Sequence, residues 1–410
     1  MLKKYKTLWT ILFQILNLKS GIAFILFLKG VVSLSAANFS VNENYILKDG
    51  QPFLVKGVVY VPAYPGHLPE NLVKTEILSD IYKKSILNDM GNIRNMGANT
   101  IRFWDVPDYC YEAIGTFQDL YFIQTIWLPV EQSDFQDSAF KDNCKMTIQT
   151  TIDRIYKTYA QDNPPPILAY VLGNELSVSS IQNTDKLHPE INEYTGKWVQ
   201  APKGSTATQC FLAELADYLK SYENEKYGQR HLVSYANEVR SYDVLETPFL
   251  DFRSFNTYTY AILDYTSPRH GSHTQTIFQG WIEYLKAKYP KVPLLITETG
   301  LSISPNAEHK GSPEYGYGGN TEEEQAQCLS KNWEDIITAQ QPIAGVCVHE
   351  YLDSWWKFSL EDSLQHDPDD VEEWYGLVSF EKDGDWYKTI YRKSYLALKS
   401  IWNNTTSPSV

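Results

Sequence analysis

The sequence predicts a single parallel (β/α)8 TIM barrel, and three observations lead there. Eight short apolar runs rich in β-branched and aromatic residues recur along the chain after residue 50. Longer stretches with helical spacing lie between most of them. No G-x-G-x-x-G turn follows an early run, which counts against a dinucleotide-binding sheet. At 410 residues the chain is long for one domain, but α/β barrels routinely exceed about 250 residues as one unit. No repeat or low-complexity linker marks a second domain.

The elements follow in order. "FLVKGVVYV" (53–61) is the first strand. The helical pattern of 77–97 places Ile77, Ile81, Ile86, Met90 and Ile93 on one face and stops at Gly97, a residue type that commonly ends helices. "ANTIRFW" and "LYFIQTIWL" are the second and third strands. A helix over 146–160 leads to "PPILAYVLGNE", the fourth. The helix 211–228 precedes "HLVSYANE", the fifth, and "FLDFRSFNTY" is the sixth. The helix 276–290 leads to "VPLLITETG", the seventh, and the helix 322–339 to "IAGVCVHEYL", the eighth. "RKSYLALKSIW" closes the chain as a helix. The long connections 61–75, 177–208, 301–321 and 354–391 all follow strands, on the side where barrel enzymes build their active face. "KDGDW" reads as a tight turn centred on Asp383-Gly384.

Residues 38–403 are therefore expected to form the barrel, with 404–410 a short tail. Residues 1–37 read as a targeting segment: Lys3, Lys4 and Lys6 precede apolar stretches at 8–18 and 21–28, and "SLSAAN" suits cleavage near Ala37. Lys19 and Lys29 interrupt the apolar run, so a signal peptide or an uncleaved anchor fits better than a clean membrane span. Export is the expectation: secreted, periplasmic or at the cell surface, with membrane contact only through that anchor. The five cysteines (Cys110, Cys144, Cys210, Cys328, Cys347) lack a C-x-x-C pair, which argues against structural zinc. An odd count leaves one thiol free, and Cys110 with Cys144 is the first guess for a disulfide. A net charge of −14 argues against nucleic acid, whose phosphates need a basic surface.

The chemistry begins at "ILAYVLGNELS" (167–177). A run that fills a buried strand ends abruptly in Asn174-Glu175, where a carboxylate is costly unless it is paired or has a task. A single Glu in such a place is more often a local hydrogen-bonding group. The event recurs three strands later, where "PLLITETG" ends its apolar run at Glu298. Two carboxylates at the ends of strands four and seven face each other across a barrel mouth, as glycoside hydrolysis requires: one protonates the leaving oxygen, the other attacks the anomeric carbon or activates water. "YANE" repeats the Asn-Glu pair at Asn237-Glu238 but does not oppose Glu298, so Glu238 reads as a loop or cleft residue. His349-Glu350 lacks the second His of a zinc-protease motif, and no G-x-S-x-G elbow appears; no metal and no cofactor are expected. The acidic stretch 361–373 reads as a solvated loop over the active face. With 11 Trp, 29 Tyr and 17 Phe, rings to stack on sugar C–H faces are available.

These residues resemble the clan A retaining β-glycoside hydrolases, over most of residues 53–403. In that group an Asn-Glu pair closes strand four and supplies the acid/base, and a Glu closing strand seven is the nucleophile; the resemblance assigns these roles to Glu175 and Glu298, with Asn174 on the sugar 2-hydroxyl. An Arg near the end of strand two matches Arg102 in "NTIRFW". A Tyr after strand six that contacts the nucleophile matches Tyr258 in "FNTY", where Asn256 is counted as a further sugar-binding candidate. A Trp after strand eight matches Trp355 or Trp356 in "SWWK". Adjacent side chains of an extended chain point to opposite sides, so one of the two is expected in the cleft and the other under the loop. Trp355, first after the strand, is the choice for the cleft, with Trp104 and Trp127 as the next sugar platforms. Within the clan, "LVKGVVY", "NTIRFW", "GNEL" and "HEYLDSWWKF" look most like β-1,3-glucanosyltransferases and their bacterial relatives, although "ITETG" stands where fungal transferases carry Glu-Tyr-Gly.

The expectation is a retaining hydrolase acting by double displacement on a β-linked glucan or a related oligo- or polysaccharide. Its alternatives are a glucan transglycosylase and a non-catalytic carbohydrate-binding barrel.

Overall fold

The computed structural model describes residues 37–66, 79–128, 132–159, 163–258, 276–310, 318–357 and 364–405. The expected targeting segment lies outside them apart from Ala37, as do most of the tail and the acidic residues 361–363. Eight strands close a barrel: β1 (Val55–Tyr60), β2 (Thr100–Phe103), β3 (Tyr121–Ile126), β4 (Ile167–Asn174), β5 (Leu232–Glu238), β6 (Arg253–Asn256), β7 (Leu294–Thr299) and β8 (Gly345–Val348). Each pairs in parallel with its neighbours in the chain, and β8 returns to β1. Nearly every strand residue is buried, because helices cover the outer face while side chains fill the lumen. That is why the strands read as continuous apolar runs rather than alternating ones.

The described helices are α1 (Asp80–Asn95), α2 (Tyr109–Ile114), α3 (Ser138–Lys157), α4 (Val178–Leu187), α5 (Ala207–Tyr227), α6 (Ile277–Lys288), α7 (Glu322–Ile337) and α8 (Lys393–Asn404). Capping decides several starts. Asp137 accepts a hydrogen bond from the Phe140 amide, so α3 begins eight residues before the start expected from apolar spacing. Thr206 with Gln209, and Thr321 with Glu324, form capping boxes at α5 and α7. Beyond α1, Gly97 takes φ +91°, and a Cβ there would press on the backbone of Trp402 and Asn403 in α8. Between β5 and β6 the only helical turn is the 3-10 segment Val239–Ser241.

Among the described residues three small sheets lie outside the barrel, and none of their strands was expected from the sequence; one is the antiparallel pair Tyr194–Thr195 and Gln200–Ala201. A three-stranded sheet (Phe39–Val41, Ile46–Lys48, Gln51–Pro52) carries Phe39 and Phe53, which meet Tyr121 edge to face at 5.0 and 5.7 Å. These rings belong to the same apolar cluster as Val59, Ile123, Ala169 and Leu295 of the strands. After β8, Val378–Asp383 pairs antiparallel with Trp386–Tyr391. Asp383 is opposite Trp386, which moves the centre of the turn to Gly384-Asp385, with Gly384 at φ +60° supplying the required backbone.

All five cysteines are free, which overturns the Cys110–Cys144 guess. Both side chains sit as thiols in the apolar layer around α2 and α3, filling core volume as unpaired cysteines commonly do.

Candidate active site

Irregularities in two strands aim the carboxylates. Val171 and Asn174 of β4 pair with Ser234 and Ala236 of β5, so β4 carries one extra residue just before Asn174. Ile296 and Glu298 of β7 likewise pair with Phe255 and Asn256 of β6. A bulge bends its strand and redirects the side chains beside it. At β4 it runs through Gly173 (φ +80°) into Glu175 (φ +47°), a left-handed conformation that costs a non-glycine residue about 1–2 kcal/mol. The strain is held in place: the Glu175 amide donates to the Ala236 carbonyl, and the Leu176 amide to the Tyr235 hydroxyl.

Arg102, fully buried, organises what these bends expose. Its Nη1 donates to Glu298 Oε1 at 2.7 Å and to the Thr297 carbonyl, Nη2 donates to Asn174 Oδ1 at 2.8 Å, and Nε donates to Thr125. The Tyr258 hydroxyl donates to the other Glu298 oxygen at 3.0 Å. Asn256 accepts from Thr297 and donates to both Asn174 Oδ1 and Glu175 Oε1. One network thus joins Glu298 to Glu175 through Arg102, Asn174 and Asn256. Because two donors hold Asn174 Oδ1, its Nδ2 is left for the cleft that Asn174 lines.

The cleft encloses about 410 Å³ and includes both carboxylates. Burial, then the neighbouring Glu298 charge, pushes the Glu175 carboxyl up to about 7. Trp104, Trp127 and Trp356 form an aromatic wall, with Trp104 meeting Trp127 at 5.3 Å and Trp356 at 6.3 Å. Trp355 lies elsewhere: it stacks on His366 at 3.6 Å under the loop. Its expected place in the cleft belongs to Trp356. The chain has left the strand by then and turns, with the Trp355 amide bonded to the Asp353 carbonyl and the Lys357 amide to Ser354. The alternation of an extended backbone therefore predicts a split between the two rings but not which ring goes where. Trp356→Ala should weaken substrate binding by about 1–3 kcal/mol with little change in Tm, and Trp355→Ala should show the reverse, read from KM and calorimetry.

Arg102 does not reach the cleft wall and positions Glu298 and Asn174 from behind it, whereas Asn256 lines the cleft with both amide hydrogens already donated to Asn174 and Glu175. Glu238 ends β5 at the cleft, paired with Arg240. Residues missed by sequence reading are His349, Lys357, Glu372 and Tyr375. His349 stacks on Trp104 and meets Tyr258 and Tyr375 edge-on; burial, then Lys357 and Arg102, hold it well below its usual pKa and hence neutral. Lys357 pairs with Glu372. The acidic stretch is solvated only in part: Glu372 is exposed at the cleft rim beside Val371, whereas Glu373 is buried against His366. Inspecting every strand end, including His349 on β8, would have found part of this set.

No protein-family model and no curated protein matches the chain. Fold and site together are those of a (β/α)8 barrel with two carboxylates on its C-terminal face. Solved structures of that architecture match. A GH2 β-galacturonidase from Eisenbergiella tayi, bound to galacturonate, superposes with a TM-score of 0.58 at 15% identity, covering 91% of this chain and 55% of that one. A β-glucuronidase from Ruminococcus gnavus gives 0.58 and 15%, covering 89% and 53%. A β-glucuronidase from Bacteroides uniformis gives 0.54 and 15%, covering 83% and 35%. At this identity the likeness is one of fold, and the chain spans about half or less of the length of these proteins.

Proposed function

We propose that this protein is a retaining β-glycoside hydrolase. The observation that carries the reading is the contrast between two carboxylates in one cleft: Glu175 pushed up to about 7, and Glu298 held by Arg102 and the Tyr258 hydroxyl. Pairs of groups in such different environments divide acid from nucleophile. Glu298 attacks the anomeric carbon as protonated Glu175 donates its proton to the departing oxygen, leaving a covalent glycosyl-enzyme. Glu175, now ionised, takes a proton from water, whose oxygen displaces Glu298. Asn174 Nδ2 meets the sugar, and Trp104, Trp127 and Trp356 supply stacking faces. The solved neighbours, whose names describe β-glycuronidases, support glycosidase chemistry on this architecture. Transglycosylation uses the same first step and differs only in the acceptor.

For the sugar, a neutral β-linked glucan fits a site in which each cation already has a protein carboxylate: Arg102 pairs with Glu298, Arg240 with Glu238 and Lys357 with Glu372. A β-uronide is the second reading. It is favoured by Lys357, a cation inside the cleft, and by the uronic sugars named for the neighbours. The test is turnover and product analysis on matched aryl β-glucosides, β-glucuronides and β-galacturonides together with β-1,3-, β-1,4- and mixed-linkage oligosaccharides. Glucoside turnover with retained anomeric configuration supports the first reading; turnover confined to uronides, lost in Lys357→Ala, replaces it with the second. No turnover of any member removes the hydrolase.

The pH dependence has a definite sign. Catalysis needs Glu175 protonated, so kcat/KM should fall as pH rises through about 7. A carboxyl raised in the folded state contributes stability that is present below its ordinary value near 4.5 and is lost as pH rises through about 7. Glu175→Gln should therefore gain Tm relative to wild type between pH 5 and pH 8. A constant Tm difference across that range would remove the perturbed carboxyl.

A further inference from the structure

A second cavity, larger than the cleft and sharing no lining residue with it, opens on the flank of the barrel. It holds about 710 Å³ between α1 and the hairpin Val378–Asp383/Trp386–Tyr391. One wall is aromatic: Phe380, Trp386, Tyr387 and the exposed Tyr391, with Phe117 at the rim. The Trp386 indole N–H donates to Ser85 Oγ at 2.7 Å, and its ring packs on Tyr82 and Tyr64 at 4.7 and 5.5 Å. That ring is locked before any ligand arrives, so little rotamer freedom remains to be lost on binding.

The opposite wall is polar. Asn88 and Asn95, both exposed, lie two turns apart on one side of α1, about 10 Å along its axis. Neither side-chain amide is used in a hydrogen bond among the described residues. Each offers a donor and an acceptor together, the pattern that vicinal hydroxyls satisfy. The charged side chains open to the groove, Asp383 and Lys388, offset each other, and the buried Asp89 carboxyl is occupied by the Tyr60 and Tyr64 hydroxyls. An uncharged ligand with apolar faces and a hydroxylated rim fits these walls; a polyanion or a basic peptide does not.

We propose that this groove is a second glycan-binding site, which holds an uncharged β-linked glucan chain on the flank of the barrel while the cleft acts on the polymer. The choice of a β-glucan rests on the hydrolase reading above. The groove would keep the enzyme on its substrate between cleavages, raising the local concentration of chain ends and bonds at the cleft.

The test is native affinity electrophoresis of the full chain carrying Glu298→Gln, in gels containing soluble β-1,3-glucan or mixed-linkage β-glucan. The parent should be retarded. Tyr387→Ala, and separately the surface pair Asn88→Ala with Asn95→Ala, should weaken retention roughly three- to tenfold. In the background with Glu298 intact, the same groove substitutions should leave turnover of a small aryl β-glycoside unchanged and lower kcat/KM on the polymer. An unretarded parent overturns the proposal. So does retardation that survives both groove variants, or that vanishes in Trp356→Ala alone, since the cleft would then account for all binding. Failure of the hydrolase reading is seen separately, as absence of aryl glycoside turnover by the native chain, whatever the gel shows.

Discussion

Glu298→Gln should lower turnover of a β-glycoside by on the order of 10^4-fold or more, about 5–6 kcal/mol of lost transition-state stabilisation. An amide cannot form the glycosyl ester, yet it keeps the shape of the carboxyl and an acceptor for Arg102, so Tm should fall less than in Glu298→Ala. Glu298→Ala is a poorer test than the sequence alone suggests. It leaves the fully buried Arg102 guanidinium with neither a counter-charge nor an acceptor at that position, a type of loss that costs about 3–5 kcal/mol. The two variants should therefore match in kinetics and differ in melting temperature. Peptide mapping after treatment with a slow-hydrolysing fluorinated β-glycoside should find the sugar on Glu298. Label on any other carboxylate, or near-native turnover by the Gln variant, would remove the nucleophile from this position.

Glu175→Ala should cost about 10^2- to 10^4-fold on substrates with a poor leaving group, the usual worth of positioned general acid catalysis. On a dinitrophenyl glycoside, whose departing oxygen needs no proton, the first step should be nearly unaffected. Breakdown of the glycosyl-enzyme should then become limiting, because no base activates water. A pre-steady-state burst of phenolate followed by a slow steady state is the expected trace. Equal losses on both substrate types, with no burst, would show that Glu175 is not the acid. Loss of its basic limb near pH 7 should accompany the substitution, since burial and Glu298 place its ionisation there.

The barrel was legible because its cause is local and repeated. Each strand is buried on both faces and so reads as an apolar run, and a run that ends in a carboxylate at β4 and again at β7 stands out against that background. Glu175, Glu298, Arg102 and Tyr258 all sit at or just beyond strand ends, where chain position and spatial position nearly coincide in a barrel. Outside the barrel only the turn of the hairpin after β8 was legible, one residue out of place; the strands of that hairpin and of the N-terminal sheet were not. Those strands are partly exposed, with too little apolar patterning to distinguish them from loops.

The sequence by itself determined the fold class, the order of the strands and the two carboxylates that can face each other. Periodicity and strand-end chemistry survive without knowledge of long-range contacts. Only the tertiary structure decided which of Trp355 and Trp356 enters the cleft, because a turn between Asp353 and Lys357 replaces the strand geometry that would have ordered them. It also decided that Cys110 and Cys144 remain thiols, that Arg102 supports Glu298 from beneath the cleft, and that Asn256 bonds Glu175 at the cleft wall. Lys357 and Glu372 likewise enter the cleft only in the folded structure. Their roles depend on how distant loops fold back over the barrel mouth, and neighbouring residues in the chain carry no record of those distances.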